Sequence, residues 1–251
     1  MHIPRIYIPQ AFSEHTSLEL DKAAMHHLVT VMRMKVGHQF MVFNGRPVDG
    51  VYGEFVATLS HVDKKKAQVE VGKFSLARTE PSLRIHLGAC VIKNDRMDWL
   101  LQKATELGVT EITPLFSQNT DVKIPAERIE KKVEHWQKIV VNACQQSGRV
   151  TIPVIHAPQV LDTWLPLLSE RHCKLILHPY VPPYSFDALS ASKKPSKLAL
   201  LVGPEGGLSE QEVSLAIANQ FSGMRLGPRI LRAETAPLVA MSILMHQLGD
   251  C

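Results

Sequence analysis

Five side chains near the end of the chain are of types that bind an anion or move a proton: Glu205, Arg229, Arg232, Glu234 and Thr235. They lie in two segments, LVGPEGGLSEQE (201–212) and LGPRILRAETAP (226–237). Each segment runs from an apolar strand into a Gly/Pro loop and then a helix start. Parallel α/β proteins hold ligands at that place, beyond the strand carboxyl ends and at helix N-termini. Two such loops so close together predict one composite pocket. Gly203, Gly206 and Gly207 are expected to take positive φ and let the backbone approach a ligand. Backbone N–H groups there suit a carboxylate, a phosphate or an adenine edge. The pattern is neither G-x-G-x-x-G nor the lysine-bearing phosphate loop, so a nucleoside triphosphate is not indicated.

The second segment has two readings. Thr235 reads as the N-cap of the last helix, with Glu234 favouring its dipole. Arg229 and Arg232 stand in an Ile-Leu context, where an unpartnered guanidinium is costly. Arg232 therefore either pairs with Glu205 or Glu234 or meets an anionic ligand. Elsewhere, Lys64, Lys65 and Lys66 read as a solvated turn. Lys93, Asp95 and Arg96 open a helix, with Asn94 or Asp95 as its cap. Arg149 follows a helix end stopped by glycine and either reaches a phosphate or faces solvent. Spacing shows no Ser-His-Asp order and no metal-ligand cluster. Cys90, Cys144, Cys173 and Cys251 read as free thiols in a reducing compartment.

The elements that must position these groups divide the chain in two. Residues 1–73 hold short β-rich stretches (5–8, 38–43, 51–60 and 67–73) around one helix, Asp21–Met32, capped by Asp21. That pattern predicts a small β-barrel. Residues 74–82 read as a linker. Residues 83–251 alternate strands with helices, the signature of an α/β domain with a mainly parallel sheet. Ser209 and Glu212 form a capping box, and the helix Thr235–Leu248 is apolar around much of its circumference. At 251 residues, 45% hydrophobic and 21% charged, the composition is that of a globular protein. No apolar run reaches membrane-spanning length and no signal peptide opens the chain, so a cytoplasmic location is expected. The net charge of +4 permits a polyanionic partner, and no basic tail carries it.

PRIYIP (4–9), HHLVTVMRMKVGHQFMVFNG (26–45), KNDRMDWLLQKATELGV (93–109), NACQQSGR (142–149) and the two loop segments resemble, in order, the blocks of the RsmE family of SPOUT-class RNA methyltransferases. The resemblance implies a PUA-like RNA-binding β-barrel followed by a trefoil-knotted α/β domain, acting as a homodimer. It implies S-adenosylmethionine as methyl donor and N3 of uridine 1498 in 16S ribosomal RNA of the small subunit as acceptor. Carried onto this chain, the cofactor would meet Leu177, His178, Gly203, Pro204, Glu205, Gly206, Leu226, Gly227, Ile230, Leu231, Arg232, Thr235 and Ala236. Arg232 would stabilise the uracil anion, and Glu205 or Glu234 would act as base or orient Arg232. Arg5, Arg33, Lys35, Lys93, Arg96 and Arg149 would face RNA. The rival expectations are another SPOUT enzyme, acting on a ribose or a tRNA base, and a non-catalytic RNA-binding assembly factor.

Overall fold

The computed structural model describes residues 3–168, 173–182 and 195–249. The chain folds as two compact units. The first is Met1–Glu80 together with Cys144–Ile152, and the second is Pro81–Ala143 together with Pro153–Cys251. The expected range 1–73 is thus extended at one end and supplemented from the middle of the chain.

The first unit is built on strands β1 (Arg5–Tyr7), β2 (Ser17–Glu19), β3 (Gln39–Phe43), β4 (Gly53–Val62) and β5 (Ala67–Leu76), in the order β1-β3-β4-β5-β2. Only the β1–β3 pair is parallel. Strand β4 alternates buried and half-buried residues from Gly53 to Ser60, the period expected of a sheet with one face on a core. Phe40, Val42, Phe55, Ala57, Leu59, Val69 and Val71 form that core with Ile6, Ile8 and Leu28. The expected helix is two short pieces: α1 (Lys22–Met25), then a π-helical run, His26–Val31. Asp21 caps it as expected, accepting from the Ala24 N–H at 2.7 Å.

The segment 74–82 is not a free linker. Strand β5 continues to Leu76, and Glu80 is an anchor for the returning stretch. Its carboxylate accepts from the backbone N–H of Val150 at 2.6 Å and of Thr151 at 2.8 Å, and from the Thr151 hydroxyl. It also pairs with Arg149 at 3.2 Å. Tyr7 N–H donates to Gln145 Oε1 at 2.8 Å. These bonds explain why Cys144–Ile152 belongs with the β-rich unit despite its place in the sequence.

The second unit is a seven-stranded sheet made of β6 (Arg84–Cys90), β7 (Val109–Phe116), β8 (Val154–Ile155), β9 (Gln159–Val160), β10 (Cys173–Leu177), β11 (Lys197–Val202) and β12 (Ser222–Met224). The order is β12-β10-β11-β6-β7-β8, with β9 also on β7, and every pairing is parallel. Both faces are covered, so β10 and β11 read as near-continuous apolar runs. Among the described residues its α-helices are α2 (Asn94–Glu106), α3 (Ala126–Ser147), α4 (Leu161–Trp164), α5 (Glu210–Ala218) and α6 (Thr235–Leu248).

Helix α2 buries Met97, Leu100, Leu101 and Ala104 on one face, as their spacing predicts, and Gly108 follows it at φ +91°. Its start differs from expectation: Lys93 is the N-cap with no side-chain cap bond. Asn94 instead accepts from Lys132 Nζ at 2.9 Å. Helix α5 carries the expected capping box of Ser209 and Glu212. Helix α6 buries Ala240, Met241, Leu244, Met245 and Leu248, while Leu238, Val239 and Ile243 are half-exposed. Among the described residues no helix is long and apolar enough to cross a membrane.

Candidate active site

Three parallel strands end side by side. Leu177 of β10 is in register with Met224 of β12, and Ile176 with Leu201 of β11. The segments 177–178, 203–207 and 225–234 therefore leave one carboxyl edge of the sheet, where ligands of such sheets bind. Strand register, set by the apolar pattern, brings together residues that are far apart in the sequence.

The loop after β11 closes as a turn in which Gly207 N–H donates to Pro204 C=O at 3.0 Å. Gly207 has φ +72°, and Gly227 in the next loop has φ +89°. The positive φ expected at Gly203 and Gly206 is absent from both. Each is glycine for want of room. A Cβ on Gly203 would lie 3.0 Å from Leu208 Cγ, and one on Gly206 would lie 3.1 Å from Asn119 Cβ. Asn119 Nδ2 also donates to the carbonyls of Gly206, at 3.3 Å, and Gly207, at 3.2 Å. Glu212 reinforces the same junction. Besides capping its helix, it accepts from Gln118 N–H at 2.7 Å. Asn119 and Gln118 carry no motif, so only the folded chain reveals their part in shaping this loop.

The charged groups form a chain. Arg96 Nη1 is 3.4 Å from Glu205 Oε1, and Arg96 Nε is 3.7 Å from Glu234 Oε1. Arg232 Nη1 is 4.0 Å from the same Glu234 oxygen. Arg96, expected as an RNA contact, is thus the link between the two carboxylates. The Arg232 side chain is 75% exposed and that of Glu234 only 10%. Glu234 Oε2 is buried without a hydrogen-bond partner, an arrangement that costs energy unless something meets it. Thr235 is not the N-cap. Glu234 holds that position without a side-chain cap bond, and Thr235 N–H donates to Arg232 C=O at 2.9 Å.

The same loops also carry apolar residues. Ile230 is 99% exposed, Leu226, Leu231 and Ala236 are half-buried, and Pro204 is buried. The segment thus presents an exposed isoleucine four residues before a buried carboxylate oxygen without a hydrogen-bond partner. His178 accepts from Tyr180 N–H at 3.4 Å through Nδ1. Partial burial holds its imidazole below the usual histidine value.

The remaining expected contacts separate. Arg33, at φ +54°, Lys35 and Lys93 are exposed. Arg5 and Arg149 are not available to a phosphate. Arg5 pairs with Glu54 at 2.7 Å with its side chain 10% exposed, and Arg149 is 2% exposed and paired with Glu80. A buried guanidinium that already has its carboxylate would lose that pair in reaching out.

Comparison with known proteins gives this arrangement a context. The family described as "RNA methyltransferase domain" matches residues 79–245, and that described as "RNA methyltransferase PUA domain" matches residues 20–46. The chain is 33% identical to ribosomal RNA small subunit methyltransferase E of Buchnera aphidicola, over 99% of this chain and 98% of that one. It is 30% identical to the protein of the same name from Bacillus subtilis, over 95% and 93%. The chain belongs to the ribosomal RNA small subunit methyltransferase E family. Two solved relatives of this methyltransferase family agree along their whole length. One is a Legionella pneumophila methyltransferase in complex with S-adenosylmethionine, at 37% identity, full coverage of both chains and a TM-score of 0.91. The other is the small subunit methyltransferase E of Neisseria gonorrhoeae bound to S-adenosylmethionine, at 34% identity, 99% coverage of each chain and a TM-score of 0.90.

Proposed function

We propose that this protein transfers a methyl group from S-adenosylmethionine to N3 of uridine 1498 in 16S ribosomal RNA of the small subunit. The observation that carries the reading is the exposed Arg232 guanidinium held against the buried Glu234, at the edge where three loops converge. The residues fit the cofactor: an apolar surface of Leu226, Ile230, Leu231 and Ala236 suits the adenine. Backbone groups at Leu177, His178, Gly203, Gly206 and Gly227 suit its polar edges. The sulfonium, when bound, supplies an electrophilic methyl group.

What the protein must add is position and charge. Uracil N3 carries a proton, which leaves as the N3–methyl bond forms, with negative charge developing on O2 and O4. Arg232, forked and permanently charged, offers donors to those oxygens. Glu234 orients Arg232 from behind. Glu205, held by Arg96 at the exposed side, is the carboxylate that a nucleotide can reach, and it takes the proton. The β-rich unit, with Arg33 and Lys35, grips the RNA backbone, and Lys93 adds a phosphate contact.

The same reading includes a trefoil knot in the α/β unit and a cytoplasmic homodimer. Support for the dimer comes from the half-exposed Leu238, Val239 and Ile243 of α6. They form an apolar edge that a two-fold partner would cover. Incubation of the protein with labelled S-adenosylmethionine and small-subunit RNA, followed by mapping of the modified base, tests the central reading. A mark at a ribose hydroxyl, on tRNA, or nowhere would overturn it.

A further inference from the structure

Spacing along the chain predicts no metal cluster, but the parallel sheet builds one at the edge opposite the carboxyl-end loops. His86 of β6 is in cross-strand register with Glu111 of β7, which is in register with Val154 of β8. Register partners in parallel strands point to the same face. His156, just past β8, donates its backbone N–H to Ile112 C=O at 2.9 Å, and this holds it beside them. His156 Nε2 is 3.2 Å from Glu111 Oε2, and His86 Nδ1 is 4.0 Å from the same oxygen. One ligand atom from each of the three residues lies within 4.8 Å of the others.

We propose that His86, Glu111 and His156 form a site for a divalent transition-metal ion, with Zn²⁺ the natural occupant. Two imidazoles and one carboxylate on neighbouring strands are a donor set for Zn²⁺ and its first-row neighbours. Mg²⁺ and Ca²⁺ ask for oxygens throughout. Tetrahedral ligation at about 2.0–2.1 Å places neighbouring ligand atoms roughly 3.4 Å apart. The 3.2 and 4.0 Å separations from Glu111 Oε2 bracket that distance and the remaining pair lies within 4.8 Å, so side-chain movements close the site.

The surroundings are those of a held ligand set. Thr113 Oγ1 lies 2.8 Å from His86 Nε2. With a metal on Nδ1, the Nε2–H would donate to this hydroxyl and fix the ring. Arg84 Nη2 is 3.7 Å from Glu111 Oε1 and leaves Oε2 to the metal. The trio opens onto a cavity of about 370 Å³ whose lining includes Trp164, Leu167 and Lys197, room for water in the open positions. The His86 ring meets Trp164 edge-on at 5.4 Å between centroids. An added Cβ on Gly88 would strike that same indole. Because the cluster sits at the amino ends of β6 and β7, its metal serves stability, not methyl transfer. A metal held there is independent of the function proposed above.

The test uses the full chain stripped of metal by chelation and dialysis. Zn²⁺ titrated calorimetrically should bind at one equivalent per chain, and Co²⁺ should give the intense visible bands of a four- or five-coordinate centre. Zn²⁺ should also raise the melting temperature of the stripped protein. Glu111→Gln and His156→Asn should each weaken Zn²⁺ binding at least about 100-fold, and Thr113→Val should weaken it about 10–100-fold as a positioning change. Absence of stoichiometric binding in the parent would show the trio to be an ion-pair network and sink the proposal. So would a weak octahedral Co²⁺ spectrum. Undiminished affinity in a folded Glu111→Gln, His156→Asn double variant would place the metal elsewhere and sink it equally. The parent's Co²⁺ spectrum decides the matter even if a variant does not fold.

Discussion

Arg232 and Arg149 show how far apart two arginines of similar sequence context can end. Each lies near a helix boundary, and an anion contact is one of two sequence readings for each, beside a carboxylate pair for Arg232 and a solvent-facing role for Arg149. One is three-quarters exposed with its nearest carboxylate at 4.0 Å; the other is buried against Glu80. Local pattern fixes neither outcome, because exposure depends on what else packs there. Arg232→Ala should lower kcat about 10²–10³-fold, the usual loss for one donor at a developing oxyanion, with RNA affinity nearly unchanged. Single-turnover methylation and filter binding on the same variant check this; parent-like turnover would make Arg232 a structural partner of Glu234. Cys90, Cys144 and Cys173 are not in disulfides, and Cys251 lies outside the described residues. Burial pushes both Cys90 and Cys144 up to about 12 from an ordinary 9.0. A thiol whose folded value is raised stabilises the fold fully below the unfolded value. That contribution fades as pH climbs from about 9 toward 12. Urea midpoints measured at about pH 8 and about pH 10.5 should therefore drop more for the parent than for Cys90→Ala. At about pH 8, iodoacetamide should leave Cys90 and Cys144 unmodified in the folded protein while labelling the half-buried Cys173.

At the scale of elements, the α/β alternation is legible because apolar strands and one-faced helices have different periods. The capping box of Ser209 and Glu212, the cap at Asp21 and the stop at Gly108 are legible too, since each is a local bond or a local dihedral. What escapes is everything set by a neighbour distant in sequence or hidden in the packing. Gly203 and Gly206 look like turn glycines, yet Leu208 and Asn119 occupy the space a Cβ would need. The π-helical run at His26–Val31 has the composition of an ordinary helix. Glycine variants differ accordingly. A Cβ at Gly207 meets no atom within 4 Å. The cost of Gly207→Ala is the left-handed backbone alone, about 1–2 kcal/mol. The free loop should relax to shed that strain, leaving the melting temperature unchanged, and calorimetry should show S-adenosylmethionine binding weakened about tenfold because the ligand must restore the left-handed shape. Untouched affinity with a lowered melting temperature would show that the loop keeps its shape without ligand. Glu80→Ala should cost about 3–5 kcal/mol, because it removes the carboxylate paired with the buried Arg149 and the acceptor of two backbone donors. A melting temperature matching the parent's would count against that account.

For the whole molecule, the split into a β-rich and an α/β unit can be read from the sequence, but not its route. Nothing in residues 144–152 announces membership of the first unit: the stretch is the tail of a long amphipathic helix and a short loop. Its assignment needs Glu80, Gln145 and Tyr7 in place. A chain beginning near Leu83 would accordingly lack the partners of Val150 and Thr151 and expose a helix end meant to be covered. It should still bind S-adenosylmethionine, at reduced stability, and lose most RNA affinity. The full protein should lose RNA affinity steeply with added salt as phosphate contacts release counterions, while cofactor affinity stays level. Sedimentation at micromolar concentration should give a dimer; a stable monomer would leave the apolar edge of α6 for another purpose.

The return of Cys144–Ile152 to the β-rich unit also sets a timetable. A nascent chain emerges from its amino end, and domains ordinarily close as soon as they are out. Here the opening stretch, Met1–Glu80, has its apolar core within itself but receives its last polar bonds from a strap made roughly seventy residues later, a delay of roughly 4–14 s at common elongation rates. Until then Glu80 has no Arg149 to neutralise it, and Tyr7 has no Gln145 to receive its N–H. The early unit therefore lacks these bonds during synthesis. Its completion is timed by the helix that leads out of the other unit, so the two halves are born in an interlocked order and not one after the other.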